Sequence, residues 1–473
     1  MNIEKFRLEP QQQKKLFRIL EFVYLACLFG FYFLWACTQP MNAGPDEEMR
    51  YQIPMFIYQN HALPHGGDPS IRNPIWGISY GFNPIFSYMI SALFMAITSI
   101  FTTDAFALLV AARMVSVLSG VGTAYFTIQI AKKLLPQIYR PPFVILVTLL
   151  PQMVFLTSYV NNDAMALCST AMIVYMWIRG IETNWDKKSC IGLALSISLC
   201  ALSYYNAYGF ILCSILLFGF TAALRREKTC TLSSDVPQEN MNYGIPCGYD
   251  FAGMWKKGLL ISAIVLICIS WWFLRNAVIY DGDFLARKIS REYAELYATP
   301  GFKPSDHGTP MNTGRTLKQM LFDDHWLWST KVSFVGVFGN MKYYLPFSFY
   351  NFYIYPFVLG FLGMLPKIPS KFRLRKEKKW NLEGIFHLTL AAAMIIPVFL
   401  SIYYSYTSDF QPQGRYILPM IIPFAYFVVQ GIATFLEFFV KKERIRIITY
   451  GYSLVWILIA VLSYTQVIYP TYH

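Results

Sequence analysis

Long apolar stretches, separated by short polar connectors, recur along the whole chain. A helix needs roughly 20 mostly apolar residues to cross a hydrocarbon core. Segments at 17–37, 105–131, 141–160, 163–181, 189–205, 206–224, 255–276, 346–366, 384–406, 416–440 and 446–467 each meet that requirement closely enough to cross. A further stretch, 83–101, is also apolar. If it crossed, every later basic connector would move to the other side, so it reads as a membrane-edge or re-entrant helix. The pattern predicts an all-α integral membrane protein of eleven transmembrane helices, with twelve as the alternative. Residues 1–473 read as one polytopic domain with two long loops on one face, 38–104 and 277–345, carrying short amphipathic helices. The segments 189–205 and 206–224 are short and meet at Ser203-Tyr204-Tyr205-Asn206-Ala207-Tyr208-Gly209, a polar break of the kind tolerated where it lines a cavity.

Charge orients this pattern. Of 40 Lys and Arg, 27 fall in six connectors at 5–18, 132–140, 179–188, 225–257, 367–379 and 441–446. This is the positive-inside signature, so these connectors are expected in the cytoplasm and both long loops outside. The net charge of +13 is thereby an orientation signal, and no nucleic-acid partner is implied. At 55% hydrophobic and 14% charged residues, the composition excludes a soluble globular protein. Lys14, Lys15 and Arg18 precede the first stretch, and no small-residue cleavage site follows it, so it reads as a retained anchor.

The nine cysteines fall in predicted helices or in the 225–254 connector, and none lies in the long outer loops, which excludes a disulfide framework there. His61 and His65 are four apart, but Pro64 interrupts any helix that would align them on a metal. No Gly-rich phosphate loop of the Walker type is present.

Candidate chemistry gathers on the outer face. Gly44-Pro45-Asp46-Glu47-Glu48-Met49-Arg50-Tyr51 follows the first crossing. Pro45 ends one helix and suits the start of another, whose first turn favours Asp46 and Glu47. Asp163 follows Asn161 and Asn162 at a junction between two crossings; a short Asp snorkels poorly, so it should sit in water or in a pair. Arg275 and Asn276 end the seventh crossing and lead into Tyr280-Asp281-Gly282-Asp283. Lys331 and Lys342 flank Ser333 to Gly339, and Gln413-Gly414-Arg415-Tyr416 precedes the tenth crossing. A carboxylate at this depth can act as a general base, and an arginine can hold a lipid phosphate through paired charge-assisted bonds. Trp76, Tyr80, Trp326, Trp328, Tyr343 and Tyr344 suit an interfacial belt or sugar stacking. Arg113, inside the second crossing, either caps an acidic partner or snorkels.

Asp46-Glu47-x-x-Arg50-Tyr51 resembles the Asp-Glu-x-Arg-Tyr element of lipid A aminoarabinose transferases, with one extra residue before the Arg. With the Arg275-Asn276, Phe334–Gly339 and Gln413–Tyr416 elements it resembles, over roughly 40–420, the GT-C class of polytopic glycosyltransferases, including protein O-mannosyltransferases. The resemblance implies inverting transfer of a sugar from a polyprenyl-phosphate-linked donor to a glycan, lipid or protein acceptor on the outer face of a bacterial plasma membrane. It implies Asp46 as general base, with Glu47 as its alternate and Asp163 in the catalytic set. Arg50, Tyr51, Arg275, Asn276, Arg415 and Tyr416 would bind substrate. In some members the acidic residue matching Asp163 holds a divalent cation, which makes Asp46 and Asp163 the candidates for magnesium or manganese. A transporter or flippase for a lipid-linked substrate is the alternative. It should show repeated halves and polar residues at mid-membrane, whereas here polar groups gather on one face.

Overall fold

A computed structural model describes residues 10–227, 245–376 and 379–473. Helix α1 (Pro10–Thr38) leads into the first long loop, which carries α2 (Glu47–Asn60) and α3 (Phe86–Ser99). The chain continues through α4 (Ala105–Leu134), α5 (Arg140–Thr148), α6 (Pro151–Leu156), α7 (Asp163–Glu182), α8 (Lys187–Ala201), α9 (Gly209–Ala222) and α10 (Phe251–Ile279). The second long loop holds α11 (Arg287–Tyr297), α12 (Leu317–Phe322) and α13 (Trp326–Gly336). Helices α14 (Phe347–Met364), α15 (Ile368–Lys371), α16 (Leu382–Thr407), α17 (Ile421–Phe439) and α18 (Lys442–Ser463) follow, with a 3₁₀ run, Gly414–Met420, ahead of α17. Among the described residues, the strands form three antiparallel pairs, each strand two to five residues long, so the fold is all-α in substance.

Nine helices among the described residues are long and apolar enough to cross a membrane, which makes this a multi-pass membrane protein. The other two expected crossings are helical but built differently. The stretch 141–160 divides into α5 and α6, because Leu150 takes an extended backbone before Pro151, which opens the new helix. Helix α8 has 15 residues, a rise of about 22 Å, short of a core of about 30 Å. The 83–101 stretch folds as the 14-residue α3, about 21 Å long, and packs on α2 and α4. The 229–248 connector lies mostly outside the described residues.

Local signals set the ends. Asp104 caps α4 by accepting from the Ala107 N–H at 2.9 Å, and Lys132 and Lys133 occupy its last turn, where the dipole favours cations. Asp186 and Asp250 cap α8 and α10 in the same way. Helices α7 and α17 are central, with 78% and 83% of their apolar windows buried, whereas α10 buries 11% and presents apolar side chains outward. The cysteines of α7, α8 and α9 (Cys168, Cys190, Cys200, Cys213) are buried as small hydrophobes.

Single cysteines placed at Pro69 and Asp306, in a background free of native cysteines, should label from one side of the membrane. One at Ser370 should label only from the other. Labelling of all three from one side would contradict the two-faced arrangement on which the site depends.

Candidate active site

The sequence after α1 folds back under the first helix end, and two acid–arginine pairs form there. Asp46 is the N-cap of α2, with its backbone in the left-handed region at φ 59°, and its side chain makes no capping bond. An N-cap Asp ordinarily accepts from the N–H of the next turn. Here the carboxylate turns away and accepts at Oδ2 from Arg415 Nη2 (3.1 Å) and from the Tyr80 hydroxyl (3.2 Å). Its side chain is 38% exposed, whereas that of Arg415 is 4% exposed. Burial pushes the Asp46 carboxyl up, but Arg415 and Arg50, with the bonds from Arg415 and Tyr80, together outweigh it and hold Asp46 below the usual aspartate range.

The second pair is Arg50 with Asp163. Arg50 Nη1 donates to Asp163 Oδ2 (2.9 Å) and Asn162 Oδ1 (3.2 Å), and both side chains are buried. The Asn161-Asn162-Asp163 junction is built for this. Asn161 accepts from the Ala164 N–H to start α7, and Asn162 donates to the Ser203 carbonyl, tying in the break between α8 and α9. Tyr80 joins the pairs: its hydroxyl reaches Asp46, and the Arg50 guanidinium lies 4.6 Å from its ring centroid. This role was not legible beforehand, because Tyr80 is one of many loop aromatics.

Arg415 is held by close backbone contacts. Gly414 donates its N–H to Ser333 Oγ (2.7 Å), and a Cβ there would meet the Phe334 backbone nitrogen at 2.1 Å. Gly44 likewise lies where a Cβ would strike the Tyr159 ring at 2.3 Å. Only glycine permits these approaches. Arg415 Nη2 also donates to the Tyr416 hydroxyl (2.8 Å), which bonds to Gln411. Its Nε and Nη1 are buried and make no hydrogen bond of good geometry among the described residues, and the Tyr159 hydroxyl, which stands beside the guanidinium, interacts with it only loosely.

Glu47 does not fit an alternate base. It is 0% exposed, and both oxygens are taken. Oε1 accepts from Arg113 Nε (2.8 Å) and the Val160 N–H (2.9 Å), and Oε2 from Arg113 Nη2 (2.8 Å) and the Asn42 N–H (3.1 Å). A carboxylate so enclosed has no access to an acceptor. Arg113 thus caps an acidic partner, and it also donates to the carbonyls of Ala36, Gln39 and Pro40 at the end of α1.

Three other expected ligands lie away from the Asp46 contacts. Arg275 donates to the carbonyls of Pro64 (2.8 Å) and Leu63 (3.5 Å), bracing the first loop. Asn276 is buried and donates to the Phe284 carbonyl at 3.4 Å. Tyr51 packs in an apolar cluster with Ile53, Ile85 and Trp272, and its hydroxyl is unbonded. Of the loop tryptophans, Trp326 is buried and donates to Ser405 Oγ, a packing role.

An apolar groove of about 490 Å³ runs along α14. Lys331 and Phe334 of α13 and Ile417, two residues past Arg415, line its upper part, and Phe357, Phe361 and Leu365 continue it.

The fold is that of a polytopic, all-α membrane protein. The chain belongs to the family described as "Predicted membrane protein (DUF2142)", whose model matches residues 72–425. Asp163, Arg275 and Arg415 lie inside the matched region, and Asp46 to Tyr51 precede it. Among solved structures, it is similar to the archaeal oligosaccharyltransferase AglB from Archaeoglobus fulgidus in complex with an inhibitory peptide and a dolichol-phosphate, at 10% identity and a TM-score of 0.51. The match covers 95% of this chain and 55% of that one, so the chain spans about half the length of that protein. The apo form of the same oligosaccharyltransferase matches at 11% identity and a TM-score of 0.50, over the same shares. ArnT from Cupriavidus metallidurans bound to undecaprenyl phosphate is similar at 10% identity and a TM-score of 0.48, over 95% of this chain and 73% of that one. No curated protein matches the chain.

Proposed function

We propose that the protein is a membrane glycosyltransferase, moving a sugar from a polyprenyl-phosphate-linked donor to a hydroxyl of a glycan, lipid or protein acceptor on the outer face of a bacterial plasma membrane. The observation that carries this reading is Arg415. It is a buried guanidinium whose Nε and Nη1 lack a close hydrogen-bond partner among the described residues, it bonds the reachable carboxylate Asp46 through Nη2, and Ile417, two residues on, lines an apolar groove. Buried unpaired N–H donors are unfavourable, and an anion supplies what they lack. The groove would take the donor's hydrocarbon tail, and Arg415 its phosphate. That the similar oligosaccharyltransferase is complexed with a dolichol-phosphate is consistent with a donor of this kind.

In the reaction, the acceptor oxygen attacks the anomeric carbon as Asp46 takes its proton. The bond from that carbon to the phosphate oxygen breaks with inversion, and the lipid phosphate leaves with the electron pair, held by Arg415. Asp163, fixed by Arg50, orients the acceptor side. No step is assigned to magnesium or manganese. Asp46 and Asp163 are each engaged by an arginine, and no group of three metal-ligating side chains occurs among the described residues. A cation between them would stand beside two guanidinium groups.

Purified protein in liposomes, supplied with polyprenyl-phosphate-linked sugars, should release polyprenyl phosphate. Arg415→Ala should reduce donor use roughly tenfold or more, the loss of a charge-assisted bond. Val358→Trp, which fills the groove from its exposed side, should raise the donor KM. Passage of the intact donor between leaflets without release of lipid phosphate would instead establish a transporter.

A further inference from the structure

A second polar cavity lies at the opposite end of the bundle, on the face that carries the basic connectors. It has a volume of about 350 Å³ and is enclosed by the end of α4, the α14–α15 junction, the start of α16 and the end of α17. Lys133, Lys367 and Lys371 all line it. Lys133 is neutralised by Glu182, at 2.9 Å. Lys371 is not well served. Its side chain is 18% exposed, and its ammonium stands 3.5 Å from Glu383 Oε1, a carboxylate that is itself 47% exposed.

Its other neighbour is His387 Nε2, at 3.4 Å. That nitrogen is already committed. His387 Nδ1 lies 2.7 Å from the Glu383 carbonyl, so Nδ1 carries the proton, and the Nε2 lone pair accepts from the Tyr426 hydroxyl at 2.8 Å. Among the described residues, a largely buried ammonium with three donors therefore has two long contacts, one to an occupied lone pair. Lys367 brings a second positive charge to the same wall. Glu437, the other carboxylate of the lining, accepts from the Tyr139 hydroxyl at 3.4 Å.

We propose that this cavity is a second binding site, separate from the Asp46–Arg415 cluster, for an anionic phosphate group held by Lys367 and Lys371. Phosphate oxygens satisfy an ammonium from several directions, and the cavity volume falls in the range of small-ligand sites. The group is either the headgroup of an acidic lipid in that leaflet or the phosphate of a soluble compound.

The test titrates the full chain in detergent with short-chain phosphatidylglycerol, and with phosphatidylcholine as the neutral comparison, reading bound lipid by native mass spectrometry. Binding of phosphatidylglycerol should weaken roughly tenfold or more in Lys367→Gln/Lys371→Gln, and measurably in Lys367→Gln alone, which removes a half-exposed charge. The pair Arg373→Gln/Lys376→Gln, exposed on the same connector and outside the cavity lining, should leave binding unchanged. With that pattern, displacement by excess inorganic phosphate assigns the site to a soluble phosphate compound, and resistance to it assigns the site to the lipid headgroup. Equal weakening in both pairs, or unchanged binding in Lys367→Gln and the double variant, overturns the proposal.

Discussion

Asp46→Asn should leave a folded, membrane-inserted protein whose sugar transfer is about 10²- to 10⁴-fold slower, the usual weight of a general base. The amide keeps the size of the side chain, and its oxygen can still accept from Arg415 and Tyr80, so the surrounding contacts survive. What is lost is a site for the acceptor proton. Retention of more than about a tenth of the transfer rate would remove Asp46 from this role. The pH profile provides a second readout. Because the charges of Arg415 and Arg50 hold the Asp46 carboxyl below the usual aspartate range, the carboxylate is ionised throughout neutral pH. Activity should be flat there and fall only as the pH drops through that depressed value. Arg415→Gln removes the first-named of those charges, so the acid limb should move to higher pH while the maximal rate also falls. A residue that merely supported the fold would not move that limb.

The crossings were largely legible because apolar length and basic connectors report directly on the bilayer. Where the reading missed, local backbone chemistry decided. Pro151 split one predicted crossing into α5 and α6, and α8 stopped short at Leu202 before the Tyr204–Tyr208 break. The site was legible as a set of residue types on one face, but not as a set of pairs. Asp46 and Glu47 are adjacent, yet consecutive side chains at a helix start point in different directions, and their partners are far away. Asp46 meets Arg415, 369 residues on, whereas Glu47 meets Arg113 beneath the end of α1. Sequence spacing could not say which of the two carboxylates would be enclosed. The same limit applied to Arg275. Its place at the end of an apolar helix suggested a phosphate ligand, and the fold instead gives it the carbonyls of Leu63 and Pro64.

Glu47→Gln and Arg113→Met should each destabilise the protein by about 3–5 kcal/mol, the cost of stranding one member of a buried ion pair. The bidentate pair is fully enclosed, with 0% exposure on both side chains. Loss of transfer in Glu47→Gln would therefore accompany loss of folded protein, whereas Asp46→Asn loses transfer alone; the contrast separates the two neighbouring carboxylates. Many buried pairs can be exchanged together for apolar residues at little cost. This one should not tolerate that exchange. Arg113 also serves three carbonyls at the end of α1, and Glu47 serves the N–H groups of Val160 and Asn42. A double variant, Glu47→Leu/Arg113→Met, would leave those backbone groups buried without partners, each at about 1–3 kcal/mol. Thermal unfolding of the detergent-solubilised protein should place the double variant well below the parent and close to the single variants. Recovery to parental stability would show that the pair is an isolated ion contact rather than the joint that fixes α1, α2 and α4 beneath Asp46.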